Sequence, residues 1–180
     1  SEFSASSDSA GRGFTTIMTI QILKEDITLE VDHITSSWAH VYSSRNTLIL
    51  AEPANDWWWF WRNSDWEDAT NIHSFDISDA NLTSYSASGR VEGTVNDQFS
   101  ISEYEGAIRI ASTLDNWGMW WRNAETDENG EPVWIGPTNQ VTVLMDNGDG
   151  YLDHIGFIGE IATGETIWSA RFVGDRGYLV

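Results

Sequence analysis

The sequence contains no cysteine among its 180 residues. Disulfides, thiolate zinc sites, iron–sulfur clusters and cysteine nucleophiles are therefore excluded together. No apolar run approaches the roughly 20 residues of a spanning helix, so we expect no membrane insertion. The phosphate-binding patterns GxGxxG and GxxxxGK[ST] do not occur, and neither do GxSxG, SxxK or HExxH. No motif therefore identifies a catalytic residue. The absence of these motifs favours a non-enzymatic protein but does not exclude an enzyme.

Basic residues are scarce. Nine basic side chains stand against 28 acidic ones, for a net charge of −19, and Lys24 is the single lysine. Such a field repels phosphate backbones and anionic lipid, so we expect no nucleic-acid partner. The acidic surplus is interpreted as solvation of exposed loops or as weak, distributed calcium binding. No other cofactor is expected.

Short runs of Val, Ile, Thr, Tyr and Phe alternate with polar residues from Gly13 onward, and Gly, Asn or Asp separates them. This period of two predicts strands, and no segment has the sustained apolar period of a helix. The predicted strands are residues 14–22, 27–35, 38–42, 47–52, 71–77, 82–91, 98–103, 107–112, 140–145, 151–158, 167–173 and 178–180. The fold class is all-β. Residues 1–13 are rich in Ser and Gly, which indicates a flexible tail.

An internal repeat organises these strands. Trp57 matches Trp117 at an offset of 117 − 57 = 60, and Thr70 matches Thr138 at 138 − 70 = 68. A third copy is predicted to turn at Gly177. Four short strands per repeat of about 60 residues are typical of β-propeller blades. Residues 14–180 are thus predicted to hold about three blade equivalents: strands c and d of one blade, blades at 38–91 and 98–158, and strands a and b of another.

Two segments carry a family resemblance. Residues 98–113 and 167–180 resemble bacterial and archaeal secreted proteins with a C-terminal β-propeller domain. The resemblance extends over about 38–180 and implies export, to an extracellular, cell-surface or periplasmic location. It implies a propeller fold and no particular reaction, so it assigns no catalytic residue.

Two tryptophan clusters occupy matched positions between strands b and c. Indole offers a flat apolar face to sugar rings, proline or cations, and one N–H donor. The candidate ligand-binding residues are Trp57, Trp58, Trp59, Trp61, Arg62, Trp117, Trp120, Trp121 and Arg122. The alternative is that these rings pack on one another and cap the fold.

The segment from Met145 to Asp153 resembles a calcium loop of the kind D-x-N-x-D-G-x-x-D. Asn147, Asp149 and Asp153 fit the ligand positions, but Met145 stands where the first aspartate belongs. The alternative is a hairpin turn rich in Gly and Asn. The four histidines lie too far apart in sequence to form a local metal pair.

The sequence favours a non-catalytic, exported recognition or cell-surface module whose Trp-rich loop face binds glycan, peptide or an envelope partner. One alternative is a propeller-type hydrolase acting on polysaccharide through acids near the axis, although 28 acids single out no pair. The other is a purely structural propeller with a Trp-capped face. Because strand edges left open attract further strands, we also expect self-association or association with the rest of a longer propeller.

Overall fold

The computed structural model describes residues 3–4, 13–22, 29–36, 38–54, 69–114, 125–126, 128–130, 132–133 and 136–180. The described residues form strands, one 3-10 turn at Gln98–Ser100 and no α-helix. No described helix is long and apolar enough to cross a membrane. The strands are β1 Phe3–Ser4, β2 Gly13–Ile20, β3 Leu29–Ser36, β4 His40–Ser43, β5 Thr47–Pro53, β6 Ala69–Asp76, β7 Ser84–Glu92, β8 Ile101–Tyr104, β9 Ala107–Leu114, β10 Glu125–Thr126, β11 Pro132–Val133, β12 Thr138–Asp146, β13 Leu152–Ile161, β14 Ala170–Val173 and β15 Arg176–Leu179.

Two four-stranded antiparallel sheets form the centre of the molecule. Sheet one has the order β4-β5-β6-β7, and sheet two has the order β8-β9-β12-β13. We number the strands of each sheet first to fourth in chain order. The predicted all-β class and the four-stranded antiparallel repeat are confirmed, and no sheet formed by the described residues closes on itself.

Smaller sheets flank the two central ones. The strands β2 and β3 pair before sheet one, and the β14–β15 hairpin follows sheet two. β1 pairs in parallel with β3, although its residues lie in the segment predicted to be a flexible tail. β10 and β11 form a separate two-stranded pair between β9 and β12.

Neighbouring residues along a strand point to opposite faces of its sheet. Sheet one is packed on both faces, whereas the fourth strand of sheet two, β13, is mostly exposed. The largest core lies between the sheets, where Ile49 and Ile72 of sheet one meet Ile110 and Leu144 of sheet two. A second core joins β2–β3 to the opposite face of sheet one, and a third joins sheet two to the β14–β15 hairpin. Burial on both sides explains why β6 is buried along nearly its whole length. Successive sheets therefore stack face to face, as propeller blades do.

Strand pairing corrects the sequence repeat by one residue. Pro53 pairs with Thr70, whereas Thr113, which is 60 residues beyond Pro53, pairs with Asn139. The offset of the third strand is therefore 139 − 70 = 69, not 68. The fourth strands keep this offset between residues 84–89 and 153–158, because both sheets carry a register shift at the matched positions 74/75 and 143/144. Sheet two has a further shift between Asn139 and Val141. The repeat thus includes its β-bulge.

Two further local predictions were wrong. The third hairpin turns between Val173 and Arg176, and Gly177 pairs with Phe172 inside β15. Residues 98–100 form a 3-10 turn instead of the start of a strand. Oδ1 of Asp97 accepts hydrogen bonds from the backbone N–H groups of Phe99 (2.9 Å) and Ser100 (3.1 Å), which stabilises the turn.

Candidate functional site

The tryptophan insertions connect the second and third strands of both central sheets, between β5 and β6 and between β9 and β12. The candidate ligand-binding residues themselves lie outside the described residues: Trp57, Trp58, Trp59, Trp61, Arg62, Trp117, Trp120, Trp121 and Arg122. Their role stays a prediction. The structure does describe the strand ends from which both insertions leave.

These strand ends define what we call the insertion end of the sheets. In sheet one it is the pair Pro53–Thr70, and in sheet two it is the pair Thr113–Asn139. Both pairs occupy the same place in the repeat, so both insertions leave their sheets in the same direction. The connections that run from β3 to β4, from β7 to β8 and from β13 to β14 also lie at this end.

The β7–β8 connection joins the bases of the two insertions. The Thr70 hydroxyl donates to the backbone oxygen of Gly93 (2.7 Å), and Thr94 exchanges two backbone hydrogen bonds with Thr113 (2.8 and 3.0 Å). Gly93 has φ +82°, and a Cβ there would stand 2.6 Å from the Thr113 oxygen. Only glycine fits this crossing without strain. The two bases are therefore held by direct hydrogen bonds at a fixed separation.

An aromatic residue stands two positions before the first strand of each successive sheet. Trp38 precedes β4, Phe99 precedes β8 and Trp168 precedes β14. Their side chains are 52%, 47% and 82% exposed. All three lie at the insertion end, because each first strand begins there. The three copies of the sequence repeat begin at these residues, but the sequence alone predicted no functional role for them.

An open groove of about 330 Å³ runs along the first strands. Its wall includes Tyr42 of β4, Phe99 before β8, and Arg171 and Phe172 of β14. The Arg171 guanidinium lies 5.2 Å from the centre of the Phe99 ring, a cation–π arrangement. Phe99 contributes to both the groove and the aromatic set, so the groove reaches the insertion end.

The predicted calcium loop is the connection between β12 and β13. The side-chain oxygen of Asn147 accepts from the backbone N–H of Asp149 (2.8 Å), and its amide donates to Asp153 (3.2 Å). These bonds are those of a hairpin turn closed by an Asn side chain. Among the described residues, no three His, Asp or Glu side chains form a group suited to a metal ion. Calcium binding by Asn147, Asp149 and Asp153 stays a prediction.

A buried polar trio crosses sheet one. Nε2 of His73 lies 3.3 Å from Oε1 of Glu52, and Nδ1 lies 3.0 Å from the Tyr85 hydroxyl. Glu52 and His73 are each 1% exposed. Burial raises the pKa of Tyr85, and the nearby Glu52 adds to this shift. Glu52 and His73 are buried, and Tyr85 is half-buried.

The trio occurs in one sheet alone. By the corrected offsets, Glu52 matches Ser112 and His73 matches Thr142, both of which are buried at 1%. Ser112 donates instead to the backbone oxygen of Glu92 (2.7 Å). The blade fold therefore does not require the acid–histidine pair.

The chain matches the family described as Beta propeller domain over residues 1–180. It is 30% identical over 105 residues to an uncharacterized protein of Methanocaldococcus jannaschii, MJ1554, and this match covers 58% of the chain and 14% of that relative. It is 31% identical over 121 residues to an uncharacterized protein of Archaeoglobus fulgidus, which covers 64% of the chain and 16% of the relative. The chain thus spans about a seventh of the length of these relatives. No solved structure matches it.

Proposed function

Since this chain belongs to the Beta propeller domain family, we propose that it is a non-catalytic, exported recognition module. Its ligand is a glycan, a peptide or an envelope partner that binds across the insertion end. The relatives are several times longer, so export and partners are proposed for the propeller segment and not carried over from a known whole protein.

The observation that carries the proposal is the coincidence of aromatic groups at one end of the sheets. Trp38, Phe99 and Trp168 are exposed there, and both tryptophan insertions leave from the same end. Contiguous exposed aromatic surface on a protein commonly marks a binding site. Flat rings stack on sugar faces, proline and cations, while their polar edges remain hydrated.

Rigid attachment supports recognition in preference to a loose apolar cap. The hydrogen bonds from Thr70 and Thr94 fix the two insertion bases relative to each other. A ligand that contacts both insertions would then meet a spacing set by the sheets, which lowers the entropic cost of binding. The groove beside Phe99 and Arg171 adds a cationic edge in a protein of net charge −19.

Glycan and peptide arrays, followed by calorimetric titration of the best array hit, test the proposal. We expect Trp38→Ala, Phe99→Ala and Trp168→Ala each to weaken binding by about 10-fold, as loss of one stacking contact predicts. Tyr151→Ala is the matched control, because Tyr151 is an exposed aromatic residue at the opposite end of sheet two. Equal losses in the control, or no hit on either array, would contradict a binding face at the insertion end.

Variants in the insertions separate recognition from a structural cap. Replacing Trp59, Trp61, Trp120 and Trp121 with alanine should abolish binding while the melting temperature stays within a few degrees. Acrylamide quenching should be strong in the parent protein and reduced in this variant. A large fall in melting temperature, with weakly quenched emission in the parent, would favour the structural alternative.

A further inference from the structure

Three polar side chains line the groove at matched positions of successive first strands. They are Tyr42 of β4, Ser102 of β8 and Arg171 of β14. The offsets between them, 102 − 42 = 60 and 171 − 102 = 69, also separate the residues with which they pair in the second strands. The repeat therefore brings one hydrogen-bonding side chain from each of three successive sheets to the same groove.

The two hydroxyl groups keep a proton that they can donate to a ligand. The Tyr42 hydroxyl accepts from the backbone N–H of Glu103 (3.2 Å), and the Ser102 hydroxyl accepts from Nη2 of Arg109 (2.9 Å). Neither hydroxyl has a second partner among the described residues. Because an N–H group only donates, each hydroxyl still has its own O–H to offer.

Arg171 brings a positive charge to the groove. Its guanidinium lies 5.2 Å from the centre of the Phe99 ring, and such stacking uses the flat face of the group. The N–H donors lie in the plane of the guanidinium, so they stay available to an acceptor. Arg171 forms no ion pair with a carboxylate of the described residues, and no acidic residue lines the groove. In a chain of 28 acidic and 9 basic side chains, this cation is left to a ligand.

A second arginine lies directly behind Ser102. The Arg109 guanidinium is held 4.9 Å from the centre of the Phe172 ring and donates to the backbone oxygen of Gly174 (2.5 Å). Its hydrogen bond to Ser102 polarises that hydroxyl, which makes the Ser102 O–H a stronger donor. The polar side of the groove is therefore both positively charged and rich in donors.

We propose that this groove binds the carboxylate of an acidic sugar. The inference rests on the proposed function and narrows its ligand to a glycan that contains a uronic acid. A carboxylate only accepts hydrogen bonds, and its two oxygens match the planar fork of a guanidinium. The net charge of −19 repels a multiply charged ligand, which favours a glycan with one carboxylate at the groove.

The groove favours a sugar over a peptide as the carrier of this carboxylate. Sugar hydroxyls can accept from Tyr42 and Ser102, whereas a peptide backbone brings N–H donors that need acceptors of their own. The rings of Phe99 and Phe172 offer apolar surface to the flat face of a sugar. A volume of about 330 Å³ is at the lower end for small-molecule sites and suits one sugar unit.

Titration of the 15N-labelled chain with sodium glucuronate, followed by amide chemical shifts, is the first test. We expect saturable shifts concentrated at residues 98–102 and 171–172. Glucose is the matched probe, because it has a neutral hydroxymethyl group in place of the carboxylate, and sodium chloride keeps the ionic strength equal. Glucose should bind at least about 10-fold more weakly, as loss of a charged hydrogen bond predicts. No saturable shift with glucuronate, or equal affinity for the two sugars, would overturn the proposal.

N-acetylglycine tests the class of ligand, since it carries a carboxylate on a peptide unit and has no sugar ring. We expect it to bind at least several-fold more weakly than glucuronate, because it lacks the ring that packs on Phe99 and Phe172. Equal or tighter binding of N-acetylglycine would favour a peptide carboxylate and overturn the acidic-sugar proposal.

Two arginine variants test the position of the site. Arg171→Gln should weaken glucuronate binding by about 10-fold and leave glucose binding unchanged. Arg176→Gln is the matched control, because it removes the same charge from the same hairpin at an exposed residue outside the groove. Both arginines are exposed, so we expect an unchanged far-ultraviolet circular dichroism spectrum in both variants. Equal losses of glucuronate affinity would show a general charge effect and overturn the proposal.

Failure of this inference can be told apart from failure of the proposed function. If the arrays give neutral glycans or peptides and glucuronate does not bind, recognition at the insertion end stands and the acidic-sugar site is wrong. If glucuronate binds in the groove and neither array gives a hit, the carboxylate site stands and the proposed function is contradicted.

Discussion

Replacing His73 with threonine is the sharpest test of the internal repeat. The imidazole and the Glu52 carboxylate are both buried and lie 3.3 Å apart. The variant takes this partner away from a buried carboxylate, and losing one member of such a pair costs about 3–5 kcal/mol. For a chain of this size, that corresponds to a fall in melting temperature of roughly 6–20 °C.

The double variant Glu52→Ser/His73→Thr provides the comparison, because it copies the residues that sheet two has at the matched positions. Ser112 and Thr142 are buried there without an acid or a histidine. The double variant leaves no buried carboxylate without its partner. We therefore expect it to be more stable than His73→Thr by at least about 2 kcal/mol. The measurement is urea unfolding followed by tryptophan emission at one fixed protein concentration. The single variant Glu52→Ser completes the comparison. If the double variant loses as much stability as Glu52→Ser and His73→Thr lose together, the two residues are not coupled and the prediction is wrong.

Three further predictions concern single residues. Gly93→Ala should destabilise the fold by at least about 1 kcal/mol, since it forces a Cβ against the Thr113 oxygen at positive φ, and chemical denaturation checks this. Glu105→Asn should stabilise it by about 0.5–1 kcal/mol in the same assay, because Glu105 has φ +53° in a two-residue hairpin turn that favours Asn; no gain would contradict this. Burial raises the pKa of Tyr85, so its neutral form adds stability below about pH 10 that is lost as the pH rises through the raised pKa. Tyr85→Phe should therefore flatten the loss of stability above pH 10 in alkaline unfolding, and an unchanged slope would argue against it.

The strands could be predicted because apolar and polar residues alternate along them with a period of two. Each predicted strand from residue 14 onward has a counterpart, usually within two or three residues at either end. The three short strands β1, β10 and β11 were missed, since two residues cannot show a period of two. The turn at residues 174–175 was misplaced because Gly177 was treated as a turn residue, whereas Gly174 takes the positive φ.

The buried trio could not be found from sequence for a related reason. With the third strands aligned at an offset of 68, His73 falls opposite Val141, which faces the other side of its sheet. At that offset His73 is compared with a residue on the wrong face, so the comparison does not show which residue of sheet two replaces the histidine. The true offset depends on which residues pair across the strands, and insertions of unequal length hide that information in the sequence.

The position of the aromatic residues at the insertion end became clear only when the strands of the repeat were known. Trp38, Phe99 and Trp168, two tryptophans and one phenylalanine, stand at the start of the three copies of the sequence repeat. Each of them stands two positions before a first strand, at the end where the chain enters a new sheet. A propeller brings such entry points around one axis.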